Sequence, residues 1–213
     1  MQLRYKSDFP NQVHQLNVYI SQHYHLLLND TIKWQAKKLD VNWGNLGKTG
    51  KEHLVTFIIR DHFSNCFYAE LYSVDKMPLI QDFLFNAWTK KEHYPFFGMP
   101  TTLIVPKITQ EQFPSIKTFF SKLKGIYMQA PTSGFSSAVA SIQQWERMIA
   151  YFTSAYSNCK TLTQFQENIQ LINREANTFD IGKGENNLQK WLDNSPQIID
   201  VSAGKVKFYK AFE

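Results

Sequence analysis

The chain has 213 residues, 43% of them hydrophobic and 15% aromatic, with 17 Phe, 10 Tyr and 5 Trp. This is enough apolar material for a sizeable packed core, and it excludes global disorder. Lys and Arg outnumber Asp and Glu by 23 to 18, for a formal net charge of +5, a balance compatible with a nucleic-acid partner without demanding one.

The two cysteines, Cys66 and Cys159, make neither a disulfide framework nor a CxxC pair, and the HxH of His23 and His25 has no Cys pair beside it, so no zinc module is expected. The N-terminal MQLRYKSDFPNQ carries no apolar signal region and no apolar run approaches a membrane span. A reducing cytoplasm without membrane contact is the expected setting.

In chain order, residues 11–36 read as a helix, because Val13, Leu16, Val18, Tyr19, His23 and Leu26 fall roughly on one helical face. KKLDVNW (37–43) reads as a strand and GNLGKTGKEH (44–53) as a Gly-rich turn. LVTFIIRDHF (54–63) is a near-continuous apolar run, expected as a strand buried on both faces, and FYAELYS (67–73) alternates as a half-exposed strand. Helices are expected over 77–94, 112–125, 135–156 and 161–177, with short strands over 98–107 and 126–131. This order predicts an α/β fold with a mixed five-stranded sheet flanked by helices. Three segments are expected: an N-terminal helical segment (1–36), a core (37–177) and a small appendage (178–213) with a short helix stopped by Pro196 and a hairpin across SAGK.

The region 34–175 resembles the catalytic core of retroviral-type integrases and related DDE transposases, an RNase H-like fold. The resemblance rests on WQAKKLDVNW, LVTFIIRDHFSNCFYAEL, GMPTTLIVPK, EQFPSIKTFFSKLKGIYMQAP and PTSGFSSAVA in that order. It implies phosphoryl transfer with two divalent ions, Mg²⁺ or Mn²⁺, held by three carboxylates.

By this resemblance Asp40 stands where the first acid is expected, either as a metal ligand or as a relic hydrogen-bonded at a strand end. The second acid should end the fourth strand, where Val105 and Pro106 stand. The third should open the helix after Gly134, where Ser137 and Ser141 stand. Glu111, in a loop that could fold back, and Glu146, nine residues past Ser137 and so about 13 Å along a helix, are the candidate replacements. Asp61 occupies a position the family often fills with Asp without catalytic use.

Lys48, Lys51, Lys107, Lys122, Lys124, Lys205 and Lys207 are the candidate phosphate contacts; each also reads as a solvated surface lysine, and GKVKFYK (204–210) as a guarded edge strand. Three functions are therefore expected to compete. One is an integrase- or transposase-derived DNA-binding protein that has lost its catalytic centre and needs no cofactor. Another is an active metal-dependent polynucleotidyl transferase built on Asp40 and acids displaced from the motif. The last is an interaction scaffold that dimerises through core helices.

Overall fold

The computed structural model describes residues 6–46, 48, 50–122, 127–129, 138–179, 184–194, 201 and 204–211, with backbone alone at 127–129. The strands are β1 (Val13–Leu26), β2 (Ile32–Trp34), β3 (Glu52–Asp61), β4 (Phe67–Ser73), β5 (Thr102–Ile104) and β6 (Tyr127–Gln129). The helices are α1 (Ile80–Trp88), α2 (Lys107–Gln112), α3 (Ser115–Lys122), α4 (Val139–Ala155), α5 (Leu162–Glu167), α6 (Ile169–Thr178), α7 (Asn187–Asp193) and α8 (Lys205–Lys210). One mixed sheet runs in the order β4-β3-β1-β5-β6, and β2 pairs with β1 off that path. The β4-β3-β1 half is antiparallel, and β1, β5 and β6 run parallel. The chain is thus α/β with an RNase H-like arrangement of strands, as expected.

Three elements differ from the expectation. Residues 13–26 form the central strand, not a helix. Leu16, Val18 and Ile20 alternate into one hydrophobic core, while Gln15, Asn17 and Tyr19 point to the opposite face. That period of two was masked because the second face is also covered and because the register slips between Ile20 and His25. Residues 37–43 are a crossing loop, not the first strand; Leu39 and Val41 anchor it in the core, and the Leu39 amide donates to the Gln22 carbonyl at 2.7 Å. Lys205–Lys210 is helical, not half of a hairpin, because Phe208 packs on Trp88 and Phe119.

Each face of the sheet carries its own core. Leu16, Val55, Phe57 and Ile59 pack with Phe83, Trp88, Phe119 and Phe208 on the α1/α3/α8 side. Leu54, Ile58, Phe67 and Leu71 pack with Trp145, Ile149, Phe165 and Ile172 on the α4/α5/α6 side. β3 is buried on both faces, as its apolar run predicts.

β4 was expected to be half exposed, yet it is almost wholly buried although it lies at the sheet edge. Its outward backbone is closed by helix side chains. Asn177 accepts from the Phe67 amide and donates to the Phe67 carbonyl, each at 2.9 Å, and Asn173 does the same for Ala69 at 2.7 and 2.8 Å. Gln166 donates to the Leu71 carbonyl at 2.8 Å. These carboxamides take the place of a neighbouring strand.

Candidate active-site face

The face toward α4 is where strand and helix acids would converge in the resembled family, and the register shows what stands there. Gln15 on β1 pairs with Ile104 on β5 and with Arg60 on β3, so Ile104, Gln15 and Arg60 form one row across three strands. Asn17 pairs with Ile58 in the next row. β5 ends at Ile104, Val105 turns into the opposite core, and Pro106 caps α2. Gln15 and Arg60 are buried, Arg60 to 3% exposure, and burial lowers the pKa of its guanidinium. The expected second-acid place is thus apolar, and the β1 residues facing it are carboxamides.

Glu146 on α4 does reach β1. Ser21 Oγ donates to Glu146 Oε2 at 3.4 Å, and Tyr24 Oη donates to the Glu146 carbonyl at 3.4 Å. Tyr19 and Thr56 are cross-strand neighbours on the same face. Tyr19 Oη, Thr56 Oγ1 and Glu146 Oε1 are buried without a well-formed hydrogen bond, although the carboxyl is close enough to Tyr19 to push the phenol pKa further up. Burial raises the Glu146 pKa, opposed in part by Tyr19, Ser21 and His23. α4 begins at Val139, so Ser137 lies outside the described residues, and Ser141 is buried on the helix.

The other sequence-derived candidates are scattered. Asp40 is exposed in the loop between β2 and β3, and its carbonyl accepts from Asn45 Nδ2 at 3.0 Å. It is therefore not on the strand beside β5; β1 holds that place. Glu111 pairs with Lys107 at 3.6 Å across one turn of α2, in an exposed i,i+4 ion pair that adds little stability. Lys48 and Lys51 lie on the same loop as Asp40, Lys122 ends α3, and Lys205 and Lys207 lie on α8, with Lys205 over the Phe85 ring at 5.4 Å. Lys124 lies outside the described residues.

No family model and no curated protein matches the chain. Among solved structures, the HTLV-2 integrase catalytic core domain, in complex with magnesium and in dimeric form, aligns at TM-score 0.49 and 10% identity over 87% of this chain and 99% of that one. A chain of the simian T-cell lymphotropic virus intasome in complex with PP2A regulatory subunit B56 gamma aligns at TM-score 0.52 and 10% identity over 93% of this chain. The alignment spans 61% of that chain's length. The chain has the fold of a retroviral-integrase-like catalytic core.

In this integrase-like core the donor set does not suit two hard dications. Such ions want several anionic oxygens. The rows at the junction of β1 and β5 offer the neutral amides of Gln15 and Asn17, with a buried arginine beside them, and α4 contributes one carboxyl whose charged form burial disfavours. Among the described residues no group of three or more His, Cys, Asp or Glu is placed to hold a metal ion. No helix there is long and apolar enough to cross a membrane.

Two further polar clusters are satisfied from within. At the base of the sheet Asp61 accepts from the Asn11 amide at 2.8 Å and from the Ser64 amide and hydroxyl at 2.7 and 2.6 Å. Trp88 donates to His14 Nδ1 at 3.2 Å, so the His14 proton sits on Nε2, 3.0 Å from Asn11 Oδ1. Burial pushes the His14 pKa down to about 3.

Beside β4, a cleft of about 480 Å³ holds Glu70 and Lys91. Glu70 accepts from the Tyr68 and Tyr72 hydroxyls at 2.5 Å each. Lys91 donates to the carbonyls of Ala87, Thr89 and Phe96. Asn86 on α1 also donates to Glu70 Oε1 at 3.1 Å, and Lys91 Nζ lies 4.6 Å from the Tyr68 ring centroid, so both groups pin α1 to β4.

The sequence reading missed Gln15, Asn17, Tyr19, Ser21 and Arg60. One available signal was Arg60, a cation inside the apolar run 54–63.

Proposed function

We propose that this chain is an integrase-derived nucleic-acid-binding protein, connected with DNA integration or transposition, whose phosphoryl-transfer centre has been lost. The observation that carries the reading is the Ile104–Gln15–Arg60 row, with Asn17 and Pro106 next to it. Its frame is that of a metal-dependent transferase, and its side chains are apolar, neutral or cationic. In-line displacement at phosphorus needs ions to stabilise the attacking and leaving oxygens. A guanidinium buried near that point opposes binding of those ions. The excess of basic residues over the whole chain supports retained affinity for a polyanion.

The test pairs a labelled-duplex nicking assay in Mn²⁺ with a binding titration at low salt. Wild type, Glu146→Gln and Asp40→Asn should all fail to cleave, while wild type binds. Metal-dependent cleavage by wild type that disappears in Glu146→Gln would sink the loss of catalysis and make α4 the source of a displaced acid.

A further inference from the structure

We propose that the arm made by the outer half of β1 and β2, together with residues 35–46, 48, 50 and 51 of the loop that follows, is the surface on which this chain holds DNA, with lysines on phosphates and Trp34 stacked on an unpaired base. The proposal rests on the nucleic-acid reading above and locates it.

The arm is pinned in place. Beyond the register slip after Ile20, β1 continues to Leu26, where His25 and Leu26 pair with β2 on one side and with His53 and Glu52 on the other. The hairpin tip is tied to the start of α5. The Ile32 amide donates to the Lys160 carbonyl, the Leu162 amide to the Asp30 carbonyl, and the Thr163 amide to Asp30 Oδ2, all at 2.9 Å. The loop behind it is anchored by buried Leu39 and Val41 and by Lys51 Nζ donating to Gln35 Oε1 at 2.5 Å. A surface held this firmly loses little conformational entropy when a ligand lands on it.

Its charge is one-sided. Between residues 31 and 53 the chain carries Lys33, Lys37, Lys38, Lys48 and Lys51 against Asp40 and Glu52. All five lysines are exposed, and none is ion-paired to a carboxylate among the described residues. The potential is felt inside: the pKa values of His25 and His53 are lowered first by burial and then by Lys51, with Lys33 also acting on His25.

Trp34 is 55% exposed, with its ring nearly parallel to His23 at 6.5 Å between centroids and 19° between planes, and Leu28 stands fully exposed at the tip. Lysine protection of an edge strand would account for Lys33. It accounts neither for an exposed, buttressed tryptophan beside it nor for the lysines of the loop. Base stacking on an aromatic platform flanked by cations accounts for both.

The experiment measures affinity by fluorescence anisotropy for a labelled single strand of about 20 nucleotides, a length that spans one or more such sites, and for the blunt duplex of the same sequence, over a salt series. A triple variant of the arm (Lys33→Gln, Lys38→Gln, Lys48→Gln) is compared with a charge-matched triple elsewhere (Lys76→Gln, Lys117→Gln, Lys210→Gln), the fold of each being checked by circular dichroism. The arm triple should reduce the single-strand salt slope by about 2, at roughly 0.7 for each phosphate that is no longer neutralised, and the distant triple should change it far less. Trp34→Ala should weaken single-strand binding about tenfold and duplex binding much less.

If wild type binds and the two triples behave alike, the arm is overturned while the nucleic-acid reading stands. If Trp34→Ala affects both substrates equally or neither, the stacking is overturned. If wild type binds neither substrate at low salt, the nucleic-acid reading falls and the arm with it.

Discussion

At one edge of the sheet, β4 turns its outward backbone toward α5 and α6, and Asn177, Asn173 and Gln166 close the amides and carbonyls of Phe67 and Ala69 and the carbonyl of Leu71. At the other side, β2 pairs with β1, is tied at Ile32 to the Lys160 carbonyl, and turns exposed Lys33 and Trp34 to solvent. Both are strands at risk of pairing with another chain. The first is sealed by side-chain carboxamides, those of Asn173 and Asn177 buried and fully hydrogen-bonded, which makes it a structural edge. The second is tied to residues 160–162 at its Ile32 end and guarded by charge beyond it, which leaves Lys33 and Trp34 available to a polyanion. The same division runs through the clusters of titratable groups: those at Asp61/His14 and Glu70/Lys91 are saturated internally, whereas the lysines of residues 33–51 have no carboxylate partner among the described residues.

Breaking the sealed edge should give the largest effect. Asn177→Leu leaves the Phe67 amide without its partner and removes one donor to the Asn173 carbonyl and one of the two to the Phe67 carbonyl, which keeps the Tyr94 hydroxyl. A loss of about 3 kcal/mol in urea denaturation is expected, the cost of stranding buried polar groups. A loss below about 1 kcal/mol would show that the amide ladder does not close the edge.

Acid should come next. Burial holds the folded-state pKa of His14 near 3, below its unfolded value of 6.5. The stability carried by the neutral ring is therefore present above pH 6.5 and is lost as the pH falls toward 3. Between pH 7 and pH 5 this one group removes about 2 kcal/mol, and His14→Gln should flatten that part of the stability–pH curve even if the variant is weaker at pH 7. An unchanged slope would mean that the ring is not buried neutral.

Glu146→Gln sharpens the comparison from the degenerate face. Because burial raises the carboxyl pKa, the folded state favours the protonated form, and the charged form costs stability as the pH rises through the folded-state value. The isosteric amide should be neutral or stabilising by up to about 1 kcal/mol at pH 7, read from thermal denaturation. A clear destabilisation would indicate that the negative charge is used.

The smallest effect belongs to the open edge. Trp34→Ala and Lys38→Gln should shift stability by less than about 0.5 kcal/mol, since they touch surface positions. A larger shift would move the arm to the structural side of the comparison.

Some elements were legible because their signal is local. The run LVTFIIRDHF specified a doubly buried strand, the amphipathic stretch 135–156 contained α4, and the scarcity of acids at the expected motif positions was visible at once. The candidate site was legible only as a deficit. Asp40 was placed by the resemblance of WQAKKLDVNW to a first strand, a stretch that the structure makes a loop, and Gln15, Asn17 and Arg60 carried no sequence mark connecting them.

What the sequence determined by itself was the α/β class, most helices, the double burial of β3, the basic balance and the poverty of carboxylates where a metal centre would need them. Tertiary structure alone decided which segment is the central strand. β1 is stabilised by pairing with residues 52–61 and 102–104 and by cores on both faces. Those contacts are distant in sequence, and a strand covered on both sides need not alternate cleanly between apolar and polar. The same pairing brings Gln15, Ile104 and Arg60 into one row. The chemistry of the site therefore depends on a register that no single stretch of the chain encodes.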